Sequence, residues 1–176
     1  GAALSSMVAA LTHEKKEMFD SKLKMDEIGF EAQNLKNRLA ILVEEDTKAF
    51  NMVIDANRLP NNTDEEKKLK KDSIIAANKY ATEVPLETTK KCFRIMQLAK
   101  TLVEDGNPSS VSDAGVAAEV ALAGVRGACL NVMINLNDID DESYCESIQK
   151  DVEGLISDAD KLHKAIFKKT RFIIKS

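Results

Sequence analysis

One carboxylate stands at a position where an apolar residue is expected. From Lys24 to Arg58, residues suited to a buried helix face recur every three or four positions, and Asp46 occupies one of those positions. A carboxylate between packed helices loses hydration and is suited to proton transfer, unless a cation or several donors hold its charge. Asp46 is therefore either a proton-transfer residue or a solvated or ion-paired residue with a structural role. The positions of this face are Met25, Ile28, Ala32, Leu35, Leu39, Leu42, Asp46, Ala49 and Val53.

A second group of polar residues shares one face of a later, apolar segment. At 100° per residue, seven positions there fall within about 40° of one line. The small residues among them would let another helix approach closely, whereas Asn131 and Asn135 place amides where apolar side chains are expected. Because a buried Asn needs hydrogen-bond partners, this face either binds a neighbouring helix or lines a polar pocket. The seven residues are Asp113, Ala117, Val120, Gly124, Gly127, Asn131 and Asn135.

Other residue types that could do chemistry form weaker patterns. Asp160 and His163 make a lone carboxylate-x-x-His, half of what a dimetal bundle requires, so we predict no metal site. The lysines between positions 67 and 71 are typical of a solvated helix face, although a polyanionic tail could use them. The sequence shows no Gly-rich phosphate loop, GxSxG elbow or Cys/His nucleophile set. Cys129, in an apolar segment, is expected to be a small core residue.

Helices must position these residues, because few breaks interrupt the chain. Seven glycines and three prolines in 176 residues leave few turns, and no stretch alternates as a strand would. We predict an all-α, single-domain bundle of five to six helices over residues 1–176. A capping box of Thr63 and Glu66 opens one helix, which Pro85 is expected to end or kink. The six predicted segments lie near 2–19, 24–58, 63–84, 86–105, 112–136 and 141–176.

The composition excludes several classes of protein. With 44% hydrophobic and 31% charged residues, the chain is expected to fold. Its net charge of -4 gives no reason to expect a nucleic acid or an anionic membrane as partner. Glu119 and Arg126 would each cost about 2.5–3.5 kcal/mol in a bilayer, so the apolar stretch 115–136 is predicted to be a buried helix. Three unevenly spaced cysteines favour a reducing, cytoplasmic compartment.

Several segments together resemble one enzyme family. The longest is GNPSSVSDAGVAAEVALAGVRGACLNVMINLNDIDDE, from Gly106 to Glu142, and GAALSSMVAALT, LVEEDTKAF, RLPNNTDEEK and VPL occur in the family's order and approximate spacing. The chain resembles the formiminotetrahydrofolate cyclodeaminase and methenyltetrahydrofolate cyclohydrolase family over almost its whole length. A Gly-rich GGGS segment usually precedes GAAL in that family. This chain begins at Gly1, at or just beyond that point, and we expect its N-terminus to have been trimmed.

The resemblance implies an all-helical homodimer that carries out one-carbon chemistry on folates. The leading expectation is a cyclodeaminase, in which N10 of 5-formiminotetrahydrofolate attacks the formimino carbon, ammonia leaves and 5,10-methenyltetrahydrofolate forms. One alternative is a cyclohydrolase that opens the methenyl compound to 10-formyltetrahydrofolate. Another is a folate-binding helical dimer without catalysis. The resemblance implies no cofactor beyond the tetrahydrofolate substrate, and a formiminotransferase subunit is a further partner that it suggests.

The resemblance also implies roles for particular residues. The family's proposed acid/base Asp, in an LVxxDxxAF-like segment, matches Asp46. Asp113, in the SD element, and Asn131 and Asn135, in the NVxINL element, are expected to bind the pterin edge or the one-carbon unit. Asn107, in the GN loop, is a weaker candidate for the same task.

Overall fold

Five α-helices build the fold, which confirms the predicted all-α class. The computed structural model describes residues 1–15 and 21–176, and these residues contain no strand. α3 packs against both α2 and α4, and α5 lies against α3 and α4. The end of the predicted first helix, with Met18 and Phe19, lies outside the described residues. The helices are α1 (Ala2–His13), α2 (Lys22–Arg58), α3 (Asp64–Asp105), α4 (Val111–Leu136) and α5 (Glu142–Lys175), and a 3-10 turn at Pro108–Ser110 precedes α4.

α2 buries most of the predicted apolar face, but in two different surroundings. Its first half, with Met25 and Leu35, joins the main core shared by all five helices. Its second half, with Leu42 and Ala49, forms a smaller cluster with Val84 and its neighbours on α3. The second half of α2 thus extends past the main core, and its other sides face water.

α3 runs without a break through Pro85, so the predicted helix boundary at this residue is wrong. The capping box at its start is confirmed, because the Thr63 hydroxyl accepts from Glu66 N and the Glu66 carboxylate accepts from Thr63 N. Pro85 has no N–H to donate to the Ala81 carbonyl, four residues earlier. The side-chain amide of Asn135 on α4 donates to that carbonyl instead, at 2.6 Å. A donor from another helix therefore compensates for the proline.

α4 packs against α1, α3 and α5 and buries one side, so the prediction of a buried helix is confirmed for that side only. Two of its three charged side chains pair with α5: Glu119 lies 2.6 Å from His163, and Arg126 lies 2.7 Å from Asp160. By length and composition alone, the stretch 108–136 could span a membrane, with a mean hydropathy of 1.4. In the fold, the same helix supplies a large part of the core.

The opposite side of α4 carries an apolar row that no other helix covers within the described residues. Its large members are exposed, at 49% for Val116, 66% for Leu130 and 63% for Ile134. Near its middle, a Cβ added to Gly127 would meet no atom within 4 Å, whereas one added to Gly124 would lie 2.6 Å from Cys92 Sγ of α3. Gly124 thus serves packing inside the chain, and Gly127 does not. We call the exposed row the α4 stripe; it consists of Val116, Val120, Ala123, Gly127, Leu130 and Ile134.

Asp141 ties the start of α5 to α3. Its carboxylate accepts from the Lys79 ammonium at 2.6 Å, from Tyr144 N at 3.1 Å and from the Ser143 hydroxyl at 3.0 Å. These contacts, the one with Lys79 above all, lower the pKa of Asp141 to about 2. Because this value lies below the ordinary one of about 3.9, the carboxylate stabilises the fold above about pH 4, and the contribution is lost as the pH falls towards 2.

Replacing Asp141 with Asn is therefore expected to lower the urea midpoint at pH 7 and to leave it nearly unchanged at pH 2. Asn still caps the helix, so the variant removes the charge and keeps the cap. Urea unfolding at the two pH values measures the difference. Asp140→Asn is the control, because the Asp140 carboxylate is exposed and so is the Lys71 ammonium that it pairs with at 3.0 Å. Equal losses at both pH values would contradict the electrostatic explanation.

Candidate functional site

A polar cavity of about 280 Å³ lies where the second half of α2 and the end of α4 flank α3. This volume is at the lower end of the roughly 300–1,000 Å³ typical of ligand sites, and it suits one fused ring system better than a whole folate. Two carboxylates and three amides share its wall with apolar side chains. The lining residues are Asp46, Ala49, Phe50, Val53, Asn78, Ala81, Asn131, Asn135 and Asp138.

A larger groove of about 380 Å³ lies between α1 and α2, but its polar groups are largely paired with one another. The Gln33 amide donates to the Ser6 hydroxyl at 2.8 Å, and His13 Nδ1 lies 2.7 Å from an Asp26 oxygen. In the cavity between α2 and α4, several polar groups are left free to meet a ligand. The chemistry of the lining residues, rather than volume, therefore selects that cavity as the candidate site.

Asp46 lines the cavity, but the expectation that its carboxylate loses hydration between packed helices is wrong for the single chain. Its side chain is exposed, and among the described residues it has no ion pair and no hydrogen bond. The physical reason is the length of α2: Asp46 lies in the half that extends past the main core, where α2 packs on α3 through a smaller apolar cluster. The Asp46 side chain is thus solvated, as one of the two interpretations predicted. Because it also lines the cavity, a role in proton transfer stays a prediction.

Asn131 and Asn135 line the same cavity from the last turns of α4. Asn131 is exposed, whereas Asn135 is partly buried and its Nδ2 donates to the Ala81 carbonyl. Both interpretations of this polar face therefore hold for Asn135, which binds a neighbouring helix and lines a polar pocket.

Asp113 and Asn107 lie at the other end of α4. Asp113 is in the first helical turn, about 27 Å along the helix from Asn131 at 1.5 Å per residue. The Asn107 side chain is buried and accepts from Ser109 N at 3.0 Å, and its main-chain N–H donates to the Thr12 hydroxyl at 2.9 Å. These contacts give Asn107 a role in holding the turn before α4 against α1. A single chain thus brings three of the five predicted residues to one cavity and places the other two far from it.

Three lining residues were not singled out from the sequence. The Asn78 amide is buried and donates to the Asp138 carbonyl at 2.8 Å, which holds the turn after α4 against α3. The Asp138 side chain is exposed, and the Phe50 ring at the cavity edge is 63% exposed. Asn78 could have been noticed as an amide inside a helix, next to two alanines. Asp138 follows Asn135 by three positions, the spacing of neighbours on one helical face.

The weaker candidates have structural contacts. Asp160 and His163 pair with different residues of α4, and no three His, Cys, Asp or Glu side chains cluster as a metal site would require in the part of the chain that the structure describes. Of the lysines, Lys67 and Lys71 pair with exposed carboxylates, and Lys70 donates to a main-chain carbonyl. Cys129 is fully buried, as predicted, and burial raises the pKa of its thiol.

Comparison with known proteins places this arrangement in context. Residues 1–154 match the formiminotransferase-cyclodeaminase family. A methenyltetrahydrofolate cyclohydrolase of Methylorubrum extorquens is 39% identical over 167 residues, which cover 95% of this chain and 80% of that protein. A formimidoyltransferase-cyclodeaminase of Rattus norvegicus is 32% identical over 161 residues, which cover 90% of this chain and 29% of the rat protein.

The fold has a solved counterpart. The crystal structure of a formiminotetrahydrofolate cyclodeaminase from Thermotoga maritima superposes with a TM-score of 0.87 at 25% sequence identity, covering 98% of this chain and 82% of that one. Sequence match and fold therefore agree across nearly the whole chain. The chain belongs to the formiminotransferase-cyclodeaminase family, whose members process one-carbon folates.

Proposed function

We propose that this chain binds a tetrahydrofolate one-carbon derivative in the cavity between α2 and α4, and that Asp46 transfers the protons of the reaction. The observation that supports the proposal is the convergence of Asp46 of α2 with Asn131 and Asn135 of α4 on one cavity, although the two helices carry separate motifs. The amides can hydrogen-bond the polar edge of a pterin, and the exposed Phe50 ring can stack on its face.

The same acid/base serves either reaction at the one-carbon unit. In hydrolysis, Asp46 accepts a proton as water oxygen bonds to the methenyl carbon. The bond from that carbon to N5 then breaks as the new hydroxyl loses its proton to solvent and becomes the formyl C=O, and N5 receives the proton that Asp46 holds. In cyclodeamination, N10 bonds to the formimino carbon, the bond to the formimino nitrogen breaks, and that nitrogen leaves protonated as ammonia. Both routes pass through a tetrahedral carbon that bears nitrogens, and both need one group to remove and deliver a proton.

Hydrolysis of 5,10-methenyltetrahydrofolate is the first of the two candidate reactions. It is supported by the 39% identity to a protein named methenyltetrahydrofolate cyclohydrolase, of which this chain covers 80%. Cyclodeamination, the leading expectation from the motifs, is supported by the T. maritima structure and the rat relative. The lining residues of the cavity fit both reactions.

Two assays on the full-length protein test the proposal. A hydrolase removes methenyl absorbance from 5,10-methenyltetrahydrofolate, whereas a deaminase produces methenyl absorbance and ammonia from 5-formiminotetrahydrofolate. Methenyl absorbance falls in the first assay and rises in the second, so testing one protein preparation on each substrate in turn separates the two reactions. If neither substrate is turned over above the uncatalysed rate, the proposed function is wrong.

We also propose that two copies form the homodimer that the family resemblance implies, and that they pair along the α4 stripe. A twofold axis requires a self-complementary surface, and the stripe has one: its members lie symmetrically about position 125. Antiparallel pairing sets large residues against large ones at both ends and small residues against each other in the middle. The pairs are Val116 with Ile134, Val120 with Leu130, and Ala123 with Gly127.

Such pairing would complete the site. It brings the Asp113 end of α4 in one copy towards the Asn131 end in the other, which would unite residues that lie about 27 Å apart in one chain. It would also cover part of the cavity mouth, because Asn131 lies directly beside Leu130. We further propose a cytoplasmic location, in line with three free thiols, and no cofactor beyond the folate. A formiminotransferase partner is proposed on the fused rat relative.

A further inference from the structure

The contact between Asn135 and α3 depends on an unusual feature of α3. In an uninterrupted helix the Ala81 carbonyl would accept the N–H of residue 85. Pro85 has no N–H, and the helix nevertheless continues past it. Asn135 Nδ2 lies 2.6 Å from the Ala81 oxygen and supplies the donor from α4. The proline therefore creates the acceptor that the asparagine uses.

We propose that Pro85 is a positioning residue for the candidate site: by withholding a main-chain N–H from the Ala81 carbonyl, it reserves that acceptor for Asn135 and fixes the Asn135 amide at the cavity wall. The effect of Pro85 on activity rests on the proposed folate site. The coupling between Pro85 and Asn135 rests only on the hydrogen bond from Asn135 to the Ala81 carbonyl. Pro85 itself is buried and does not line the cavity.

The hydrogen bond determines which way the amide points. A carbonyl accepts only, so the nitrogen of Asn135 must face Ala81 and Oδ1 must be the other end. Among the described residues, no hydrogen bond uses Asn135 Oδ1. The amide thus offers the cavity a fixed acceptor, which suits the N–H groups of a pterin edge.

The contact is not needed merely to hold α4 against α3. Gly124 packs tightly on Cys92 of α3, and Asn78 of α3 binds the turn after α4 at 2.8 Å. Other contacts therefore already hold α4 against α3, and the hydrogen bond to Ala81 is not required for that purpose. Its distinctive effect is on the orientation of one side chain that lines the cavity.

A double-mutant cycle on the whole chain tests the structural part without any substrate. With Pro85 present, Asn135→Leu leaves the Ala81 carbonyl without this donor, and we expect the unfolding equilibrium constant to rise about tenfold. In Pro85→Ala, the new main-chain N–H satisfies that carbonyl, so adding Asn135→Leu should cost much less. The matched control is Asn131→Leu, one turn earlier on α4, which should cost the same with either residue at position 85. Equal costs of Asn135→Leu in the two backgrounds would overturn the proposal.

The functional part is tested by the Pro85→Ala variant with whichever folate the wild type converts. We expect kcat/KM to fall about 10- to 100-fold, because a freed amide no longer holds its productive geometry, while the urea midpoint stays the same or rises, since alanine suits a helix better than proline. Unchanged kcat/KM, or a loss that only parallels a loss of stability, would overturn the positioning role. If the wild type converts neither folate, the proposed function fails, and the cycle still decides whether Pro85 and Asn135 are coupled.

Discussion

The Asp46→Asn variant is expected to lose about 10²- to 10⁴-fold in kcat, the range typical of a removed general acid/base. Asn has nearly the same shape as Asp and cannot accept the proton, so folate binding should change much less than turnover. The free energy of unfolding should change by no more than about 0.5 kcal/mol, because the Asp46 side chain is exposed and makes no ion pair among the described residues. Steady-state kinetics and urea unfolding measure both quantities.

Asp55→Asn is the matched control for this variant. Asp55 is also an exposed carboxylate of α2, but it lies beyond the cavity and near Arg58, at 3.8 Å. It should keep the wild-type kcat. If Asp46→Asn retained more than half of the wild-type kcat, Asp46 would not be the acid/base. A wild-type protein that bound folate without converting it would instead support the alternative of a folate-binding dimer without catalysis.

The Gly127→Leu variant is expected to change the oligomeric state from dimer to monomer. In a single chain, a side chain at this position meets open space, and replacing a glycine inside a helix should stabilise α4 by up to about 1 kcal/mol. Across an antiparallel α4 pair, the same side chain would push the two helices apart at their closest point. Light scattering should therefore give twice 19.4 kDa for the wild type and 19.4 kDa for the variant.

The control for Gly127→Leu is Leu69→Glu, which changes an exposed apolar residue on the lysine-rich part of α3 and should leave the mass unchanged. The orientation of the pair has its own readout. Mixing a Val116→Cys protein with an Ile134→Cys protein should give a mixed disulfide dimer more readily than either protein alone. A wild type that stays monomeric at working concentration, or a Gly127→Leu variant that stays dimeric, would contradict the pairing.

Periodicity predicted the buried face of α2 well and left two interpretations of Asp46 open, of which the solvated one describes its side chain. A spacing of three and four states which side of a helix faces its neighbours, but not how far along the helix the neighbours reach. Here Met25 and Leu35 meet the main core, whereas Asp46 lies beside a smaller apolar cluster that α2 shares with α3. How far neighbouring helices extend along α2 depends on tertiary structure, and the spacing of residues within one helix carries no information about it.

Pro85 shows the same limit for helix boundaries. A proline in a helical pattern favours an end or a kink, because both the lost hydrogen bond and the ring are costly. The sequence around position 85 gives no sign that an amide fifty residues later supplies the missing donor. Similarly, the motifs predicted Asp46, Asn131 and Asn135, but the amide of Asn78 was overlooked, since only the folded chain shows that it faces the end of α4.

The hydrogen bond between Asn135 and Ala81 ends on a main-chain atom, and this has an evolutionary consequence. The acceptor exists whatever side chain occupies position 81, so point mutation there cannot delete it directly. The identity that matters is the one at position 85, because that residue decides whether a main-chain N–H competes for the same acceptor. Among homologues, we therefore expect loss of the proline at 85 and loss of the amide at 135 to occur together, as two halves of a single inherited trait.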